Sequence, residues 1–145
     1  MCMQVSRSCR CGRQSAYLSC RDNLLPAEML VNLYCPECRG QADGDHDCLV
    51  EDCGWVLEFD LEGARTLLAQ RGIRQEVTAE FIFDEGYLSW QGLSPGDHQV
   101  NHEIHQRLEP LITQDMKKYL EHLKTEWLAH VIRLKAQGWR KAQQT

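Results

Sequence analysis

The cysteines are the residues of this chain best suited to chemistry. There are eight among 145 residues, and seven fall in one window of 45 residues: Cys9, Cys11, Cys20, Cys35, Cys38, Cys48 and Cys53. Pairs spaced this closely are poorly placed to close stabilising disulfide loops, and the first residues lack the apolar core of a secretion signal. Thiolates brought together on tight turns are good ligands for a metal ion. The cluster therefore predicts metal binding, with Cys2 as a bystander near the terminus.

The strongest motif is Cys35-Pro36-Glu37-Cys38 with Gly40 behind it. Two thiolates on such a turn can point at one tetrahedral ion, and the glycine lets backbone amides tilt toward the sulfur atoms. The upstream pair Cys9-Arg10-Cys11 is the favoured partner, because the downstream pair has four residues between its cysteines. The predicted ligand set is Cys9, Cys11, Cys35 and Cys38. An alternative or second site would use Cys48 and Cys53, with Cys20 and His46 as further candidate ligands.

On the motifs Cys9-x-Cys11-Gly12 and Cys35-Pro-x-Cys38, the segment from residue 9 to about 59 resembles the zinc-ribbon class of metal-binding domains. That resemblance implies a structural Zn2+ and a role in contacts with proteins or nucleic acids. A rubredoxin-type iron centre uses the same four thiolates, so Fe is the alternative metal. Four thiolates fill a tetrahedral site and leave no position for a substrate, so catalysis at the metal is not expected.

The surrounding pattern predicts the elements that position these cysteines. Residues 15–34 indicate strand, turn and strand, forming a hairpin between the two cysteine pairs. Alternating apolar residues predict a strand at 55–59, and Asp60 is a plausible N-cap for a short helix over 61–71. A second β-hairpin is expected over 77–90. The fold class is α+β: a zinc-ribbon-like β module with an added β-hairpin and a short helix, followed by a long C-terminal amphipathic helix.

A domain boundary is predicted after residue 93, which separates a compact domain at 1–93 from a C-terminal helical extension at 94–145. Apolar residues recur there at three- and four-residue steps, with a possible break near Pro110. About 30 residues of helix would span about 45 Å, longer than the domain itself. The helix must fold back as two shorter helices or pair with another chain, and a homodimer or a protein partner is the expected answer.

Three histidines offer a different metal-binding pattern in this extension. His98, His102 and His105 share one side of a helix with Glu109 a turn further on, and such a face can ligate a transition metal. No cysteine or carboxylate motif completes the site. We therefore expect a solvated polar face here.

Charge and motif content limit the remaining functions. Residues 41–110 hold 4 basic and 15 acidic side chains, which would repel a phosphate backbone, although Arg7, Arg10 and Arg13 leave local nucleic-acid binding open. No apolar stretch is long enough for a membrane span, and no catalytic motif is present. We expect a non-enzymatic, cytoplasmic zinc-binding protein acting as an interaction or regulatory module. The alternatives are a rubredoxin-like electron-transfer protein and a nucleic-acid-binding regulator.

Overall fold

The computed structural model describes residues 3–42 and 46–144, so Cys2 and the segment 43–45, which contains two aspartates, lie outside the described residues. The chain divides into two compact units, Met1–Gln91 and Gly92–Thr145. This division falls two residues before the boundary proposed from the sequence. The mixed α+β class is confirmed, with strands in the first unit and a helical second unit.

One sheet of unit 1 has the order β1-β2-β6. Strand β1 (Met3–Ser8) pairs antiparallel with β2 (Ser15–Cys20), and β6 (Ser89–Trp90) pairs with the other edge of β2. Along β2 the side chains alternate between water and the interior, with Ala16 and Leu18 fully buried. This is the period-two pattern of a strand with one buried face.

The second sheet has the order β3-β5-β4, built from β3 (Leu30–Tyr34), β4 (Leu49–Asp52) and β5 (Trp55–Phe59). The predicted strand at 55–59 is confirmed. The hairpin predicted within 15–34 is wrong, because β2 and β3 belong to different sheets. Between them the chain makes two short 3-10 turns, with positive φ at Asp22 and Asn23, and so leaves the first sheet.

Helix α1 (Leu61–Gln70) follows β5 and is confirmed with its cap: the Asp60 carboxylate accepts a hydrogen bond from the Gly63 amide at 3.0 Å. The hairpin predicted over 77–90 is wrong. Residues Ala79–Asp84 form a helix, α2, and only Ser89–Trp90 are strand. The Thr78 hydroxyl accepts from the Phe81 amide, so a side-chain cap favours the helix over the short alternating pattern.

Large aromatic side chains fill the interior of unit 1. Trp90 is fully buried and meets Trp55 and Phe83 edge-on, with ring centroids 5.7 Å apart in each pair. Its indole N–H donates to the Asp52 carboxylate at 2.7 Å, which gives this buried acid a partner. The contact joins β6 of the first sheet to β4 of the second.

Unit 2 is a helical hairpin made of α3 (Asp97–Gln114) and α4 (Met116–Gln137), followed by the single turn α5 (Arg140–Gln143). The long predicted helix therefore folds back on itself. Its break is at Asp115, not near Pro110, which lies inside α3. The backbone of Asp115 is extended, and its carboxylate caps α4 by accepting from the Lys118 amide at 3.2 Å.

The two helices meet along one apolar seam centred on Ile104, Leu108 and Tyr119. At the start of α3 the buried Asp97 carboxylate accepts from the Ser94 hydroxyl and the Leu93 amide, each at 2.6 Å. The same carboxylate lies 2.8 Å from Nε2 of His130, which is also buried. This polar contact fixes the start of α3 against α4.

Among the residues that the structure describes, no helix is long and apolar enough to cross a lipid bilayer.

Candidate metal centre

The first cysteine pair lies in the loop that joins β1 to β2. Ser8 and Ser15 form the last pair of the ladder, and Cys9 and Cys11 follow within the loop. The Cys9 amide donates to the Gln14 carbonyl, and the Gly12 amide donates to the Cys9 carbonyl, both at 2.8 Å. Gly12 has φ of +75°, a backbone conformation that side-chain-bearing residues rarely adopt. The loop thus turns sharply behind the two sulfur atoms.

The second pair begins directly after β3. The Cys38 amide donates to the Cys35 carbonyl at 2.9 Å, which closes a tight turn around Pro36 and Glu37. The turn between β4 and β5 supports it from outside, because a Cβ atom placed on Gly54 would lie only 3.1 Å from the Pro36 side chain. Glycine at position 54 therefore allows the β4–β5 turn to contact the cysteine turn.

These two turns bring the predicted ligand set together. The Sγ atoms of Cys9, Cys11, Cys35 and Cys38 all lie within 4.8 Å of one another, and those of Cys11 and Cys35 are 3.9 Å apart. A tetrahedral site with Zn–S bonds of about 2.3 Å has edges of about 3.8 Å. The separation of the sulfur atoms therefore fits a tetrahedral thiolate site, and the chemistry of the donors suits zinc or iron.

Backbone amides donate hydrogen bonds to sulfur atoms of the cluster. The Cys35 amide donates to Sγ of Cys9 at 3.2 Å, and the Arg13 amide donates to Sγ of Cys11 at 3.5 Å. Such bonds stabilise thiolate charge. The hydrogen bond from the Arg13 amide is the main reason that the pKa of Cys11 falls from 9.0 to about 6.

In the second cysteine pair, burial raises the pKa of the thiols. Cys35 and Cys38 are buried, and loss of hydration raises the pKa of Cys35 and raises the pKa of Cys38 to about 12. Without a cation these two groups stay protonated at neutral pH. A bound cation would supply the positive charge that lets several neighbouring sulfur atoms ionise together.

The alternative ligands do not join this cluster. Cys53 is exposed in the β4–β5 turn, Cys48 is half-buried before β4, and Cys20 is buried on β2. Partial loss of hydration and the nearby acids Asp52 and Glu51 raise the pKa of Cys53, which disfavours its thiolate. Within 3–42 and 46–144, the four-cysteine group is the one set of three or more possible metal ligands that lie this close together.

The histidine face predicted on the C-terminal helix lies on α3, where His98, His102 and His105 are exposed. Glu109 is exposed as well. Nδ1 of His105 is 2.6 Å from the Tyr119 hydroxyl across the hairpin, so this ring takes part in the contact between α3 and α4. The histidines and Glu109 form no such ligand group in the described part of the chain.

The sequence did not reveal how the two turns are supported. The Arg10 amide donates to the Leu33 carbonyl at 3.3 Å and so links the first cysteine loop to β3. The β4–β5 turn, in contrast, has a local pattern that predicts it: the sequence Asp52-Cys53-Gly54-Trp55 is a glycine-containing two-residue turn between apolar strands.

Comparison with known proteins gives no match to this chain among family models, curated proteins or solved structures.

Proposed function

We propose that the chain is a non-enzymatic zinc protein in which Zn2+ is structural and unit 1 acts as a protein-interaction or regulatory module. One observation carries the proposal: four cysteine sulfur atoms from two separate sheets lie within 4.8 Å of one another. Cys9 and Cys11 belong to the β1–β2 hairpin, whereas Cys35 and Cys38 follow β3. An ion held by all four would cross-link the two sheets.

The cross-link matters because unit 1 is built from small sheets. Each sheet has three strands, and β6 and β4 contribute only two and four residues. An ion that joins two such sheets adds its binding free energy to the folding free energy of the unit. The seven described cysteines form no disulfide, so disulfides among them do not supply this cross-link. The metal would then do the work that disulfides do in secreted domains.

The geometry of the donors supports a structural and not a catalytic ion. Four thiolates complete a tetrahedron, so no coordination position is left for water or a substrate. Cys9, Cys35 and Cys38 are at most 4% exposed. A substrate would have to displace one of the four sulfur atoms to reach the ion.

The direct test is elemental analysis and thermal unfolding of the purified chain with the variants Cys35→Ser and Cys53→Ser. We expect about one zinc per chain in the wild type. Cys35→Ser should lose the metal and unfold at lower temperature. Cys53→Ser should keep both properties, because this exposed cysteine is outside the cluster. Equal metal content in the two variants would exclude the proposed ligand set.

A second candidate is electron transfer at a four-thiolate iron centre, and the exposure of Cys11 favours it. Cys11 is half-exposed while the other three cysteines are buried, so one edge of the cluster faces solvent. Amide-to-sulfur hydrogen bonds of the kind made by Cys35 and Arg13 tune the potential of iron–thiolate centres. Iron content with visible charge-transfer absorption that bleaches on reduction would support this candidate. A colourless protein containing zinc would exclude it.

Nucleic-acid binding receives little support from the arginines near the first cysteine pair. Arg7 donates to the Ala27 carbonyl at 3.1 Å, and Arg10 to the Tyr34 hydroxyl at 3.5 Å. Arg13 is 3.6 Å from the Glu37 carboxylate. Because these guanidinium groups already have partners and the next segment is acidic, we place this function last. Salt-dependent binding of the full chain to DNA or RNA would reverse that order.

A further inference from the structure

The four cysteines of the candidate metal centre differ in their access to water. Cys9, Cys35 and Cys38 are buried, whereas Cys11 is partly exposed in the loop that joins β1 to β2. Gly12 follows it, and a Cβ atom placed on this glycine would meet nothing within 4 Å, so the space beside the loop is open. A small reagent dissolved in water therefore meets Cys11 before it meets the other three cysteines.

Cys35 is the buried cysteine that is placed to react with Cys11 next. Their Sγ atoms are 3.9 Å apart, and a disulfide bond requires about 2.05 Å. The two sulfur atoms would have to approach by about 2 Å, and a change of χ1 rotamer moves a cysteine sulfur by about 3 Å. An approach of this size is within the range of side-chain rotation.

A disulfide between these two residues would link the same two sheets that the four cysteines bring together. Cys11 belongs to the β1–β2 loop and Cys35 follows β3, so the new bond would run from one sheet to the other. A bond between Cys9 and Cys11, or between Cys35 and Cys38, would stay within one turn. The sheets stay joined without a metal only if the bond forms between the two turns.

We propose that Cys11 is a site of oxidation, at which a hydroperoxide such as hydrogen peroxide joins Cys11 to Cys35 and empties the metal centre. This reaction rests on the proposed function, in which the four thiolates hold Zn2+. The new bond would remove two ligands and leave Cys9 and Cys38, one on each turn. Two thiolates do not complete a tetrahedral site, so the ion leaves and the chain responds to an oxidant.

Two steps complete the reaction. In the first, the Cys11 thiolate attacks one oxygen of the peroxide, the O–O bond breaks, and Cys11 becomes a sulfenic acid while the second oxygen leaves as water after taking a proton from solvent. In the second, the Cys35 thiolate attacks the Cys11 sulfur, the S–S bond forms, and the S–O bond breaks to release hydroxide, which is protonated to a second water. Two electrons pass from the two sulfur atoms to the peroxide, and the metal ion keeps its charge.

The test treats the full, zinc-loaded chain with about two equivalents of hydrogen peroxide and follows two products. A chromophoric chelator measures the zinc that is released, and peptide mass spectrometry after alkylation of the remaining thiols identifies the disulfide. We expect about one zinc per chain to leave, together with a peptide pair joined through Cys11 and Cys35. A dithiol reductant added with Zn2+ should restore the starting state, because a disulfide is reversible whereas sulfinic and sulfonic acids are not.

The matched control is Cys53→Ser, which removes an exposed cysteine outside the cluster. It should release zinc at a rate within about twofold of the wild type and form the same disulfide. Thermal unfolding gives a further readout, because Cys11 and Cys35 are 24 residues apart in the sequence and their bond closes a long loop. The oxidised, metal-free chain should unfold at least about 5 °C above the reduced, metal-free chain.

Three outcomes would overturn the proposal, and they separate it from the proposed function. Zinc that stays bound while peroxide modifies only Cys53 would exclude Cys11 as the site of oxidation. Zinc release with a disulfide between Cys35 and Cys38, or between Cys9 and Cys11, would exclude the bond between the two turns. In both cases the structural zinc would stand. A chain that contains no zinc before treatment would overturn the proposed function as well.

Discussion

Each of the two units of this chain is stabilised by its own kind of internal contact. Unit 1 contains all eight cysteines and builds two small sheets around Trp90, with four sulfur atoms placed between the first hairpin and β3. Unit 2 contains no cysteine and relies on one helical seam and a buried contact between Asp97 and His130. The comparison indicates that metal should control the stability of the first unit and leave the second nearly unaffected.

Removal of the metal should have the largest effect, and it should be confined to unit 1. Treating the protein with a strong chelator, or introducing Cys38→Ser, should lower the melting temperature of unit 1 by more than about 15 °C. A structural zinc site contributes several kcal/mol, and each kcal/mol moves the midpoint of a domain this size by about 4–8 °C. Thermal unfolding measures the midpoint. Hydrogen–deuterium exchange resolved by peptide assigns the change to a unit, because it reports both units in one sample.

In that experiment the helices of unit 2 serve as an internal reference. Peptides from α3 and α4 should keep their protection while those from β1, β2 and β3 lose it. Loss of protection in both units to the same extent would contradict the comparison, because it would mean that the chain unfolds as one cooperative body. Cys48→Ser is the matched cysteine control, since this residue lies outside the cluster.

The second largest effect is expected from Asp97→Ala, and it should be confined to unit 2. The Asp97 side chain accepts hydrogen bonds from Ser94 and Leu93 and contacts His130, and all but Leu93 are buried. Truncation would leave buried polar groups without this partner, at a cost of about 3 kcal/mol. Urea unfolding followed by the helical circular dichroism signal measures the change.

The control for Asp97→Ala is Glu109→Ala, which removes an exposed carboxylate from the same helix and should cost less than about 0.5 kcal/mol. Metal content should stay at the wild-type value in both variants. A release of metal from Asp97→Ala would show that the units depend on each other and would remove the basis of the comparison.

The sequence was most informative where the signals are local. Cysteine spacing indicated Cys9, Cys11, Cys35 and Cys38 because each pair lies on its own tight turn. Asp60 marked the start of α1 for the same reason, since an N-cap acts over three residues. The strand that became β3 was predicted, but its sheet could not be found in this way. Its pairing depends on whether β2 or β5 offers the better partner, which is decided by residues far away in the sequence.

Two predictions were wrong because they used short residue patterns and ignored the side chains that cap helices. Val77, Phe81 and Phe83 alternate like a strand, yet Thr78 caps a helix in which Ala79, Ile82 and Phe83 share the buried face. Six residues are too few for periodicity to distinguish the two states, so the cap decides. Asp115 similarly ends one helix and caps the next, whereas Pro110 is accommodated inside α3. The Asp97–His130 contact spans 33 residues and leaves no local pattern from which to find it.

Acidification offers a third way to separate the units, because metal binding must displace protons from unit 1. The raised pKa values of Cys35 and Cys38 keep both groups protonated in the metal-free protein at pH 7, so at least two protons leave on binding. Affinity should fall as pH falls, by about tenfold per pH unit for each proton released and hence by at least about a hundredfold per unit. Below the Cys11 pKa of about 6 a further proton should steepen the dependence.

Competition with a chromophoric chelator between about pH 6.5 and 8, corrected for the chelator's own protonation, measures this slope. The Cys53→Ser variant should give the same slope, since Cys53 is not in the cluster. A slope of less than one proton per ion would mean that the buried cysteines are already ionised before the metal arrives, contrary to the effect of burial at this site.

The smallest effect concerns the contact between the β4–β5 turn and the second cysteine turn, and Gly54→Ala tests it. At this position φ is +93°, so any side chain adds backbone strain of about 1 kcal/mol. The new Cβ atom would also lie 3.1 Å from Pro36, which sits between the ligands Cys35 and Cys38. We therefore expect a loss of about 2 kcal/mol in unit 1 together with metal binding weakened several-fold.

Gly72→Ala separates these two causes. Gly72 also has positive φ, +82°, but a Cβ atom there would meet nothing within 4 Å, and the residue lies after α1. It should therefore cost about 1 kcal/mol through backbone strain alone and leave the metal affinity unchanged. If Gly54→Ala and Gly72→Ala bind metal equally well, the β4–β5 turn does not position the second cysteine pair. The two cysteine turns alone would then determine how tightly unit 1 binds the metal.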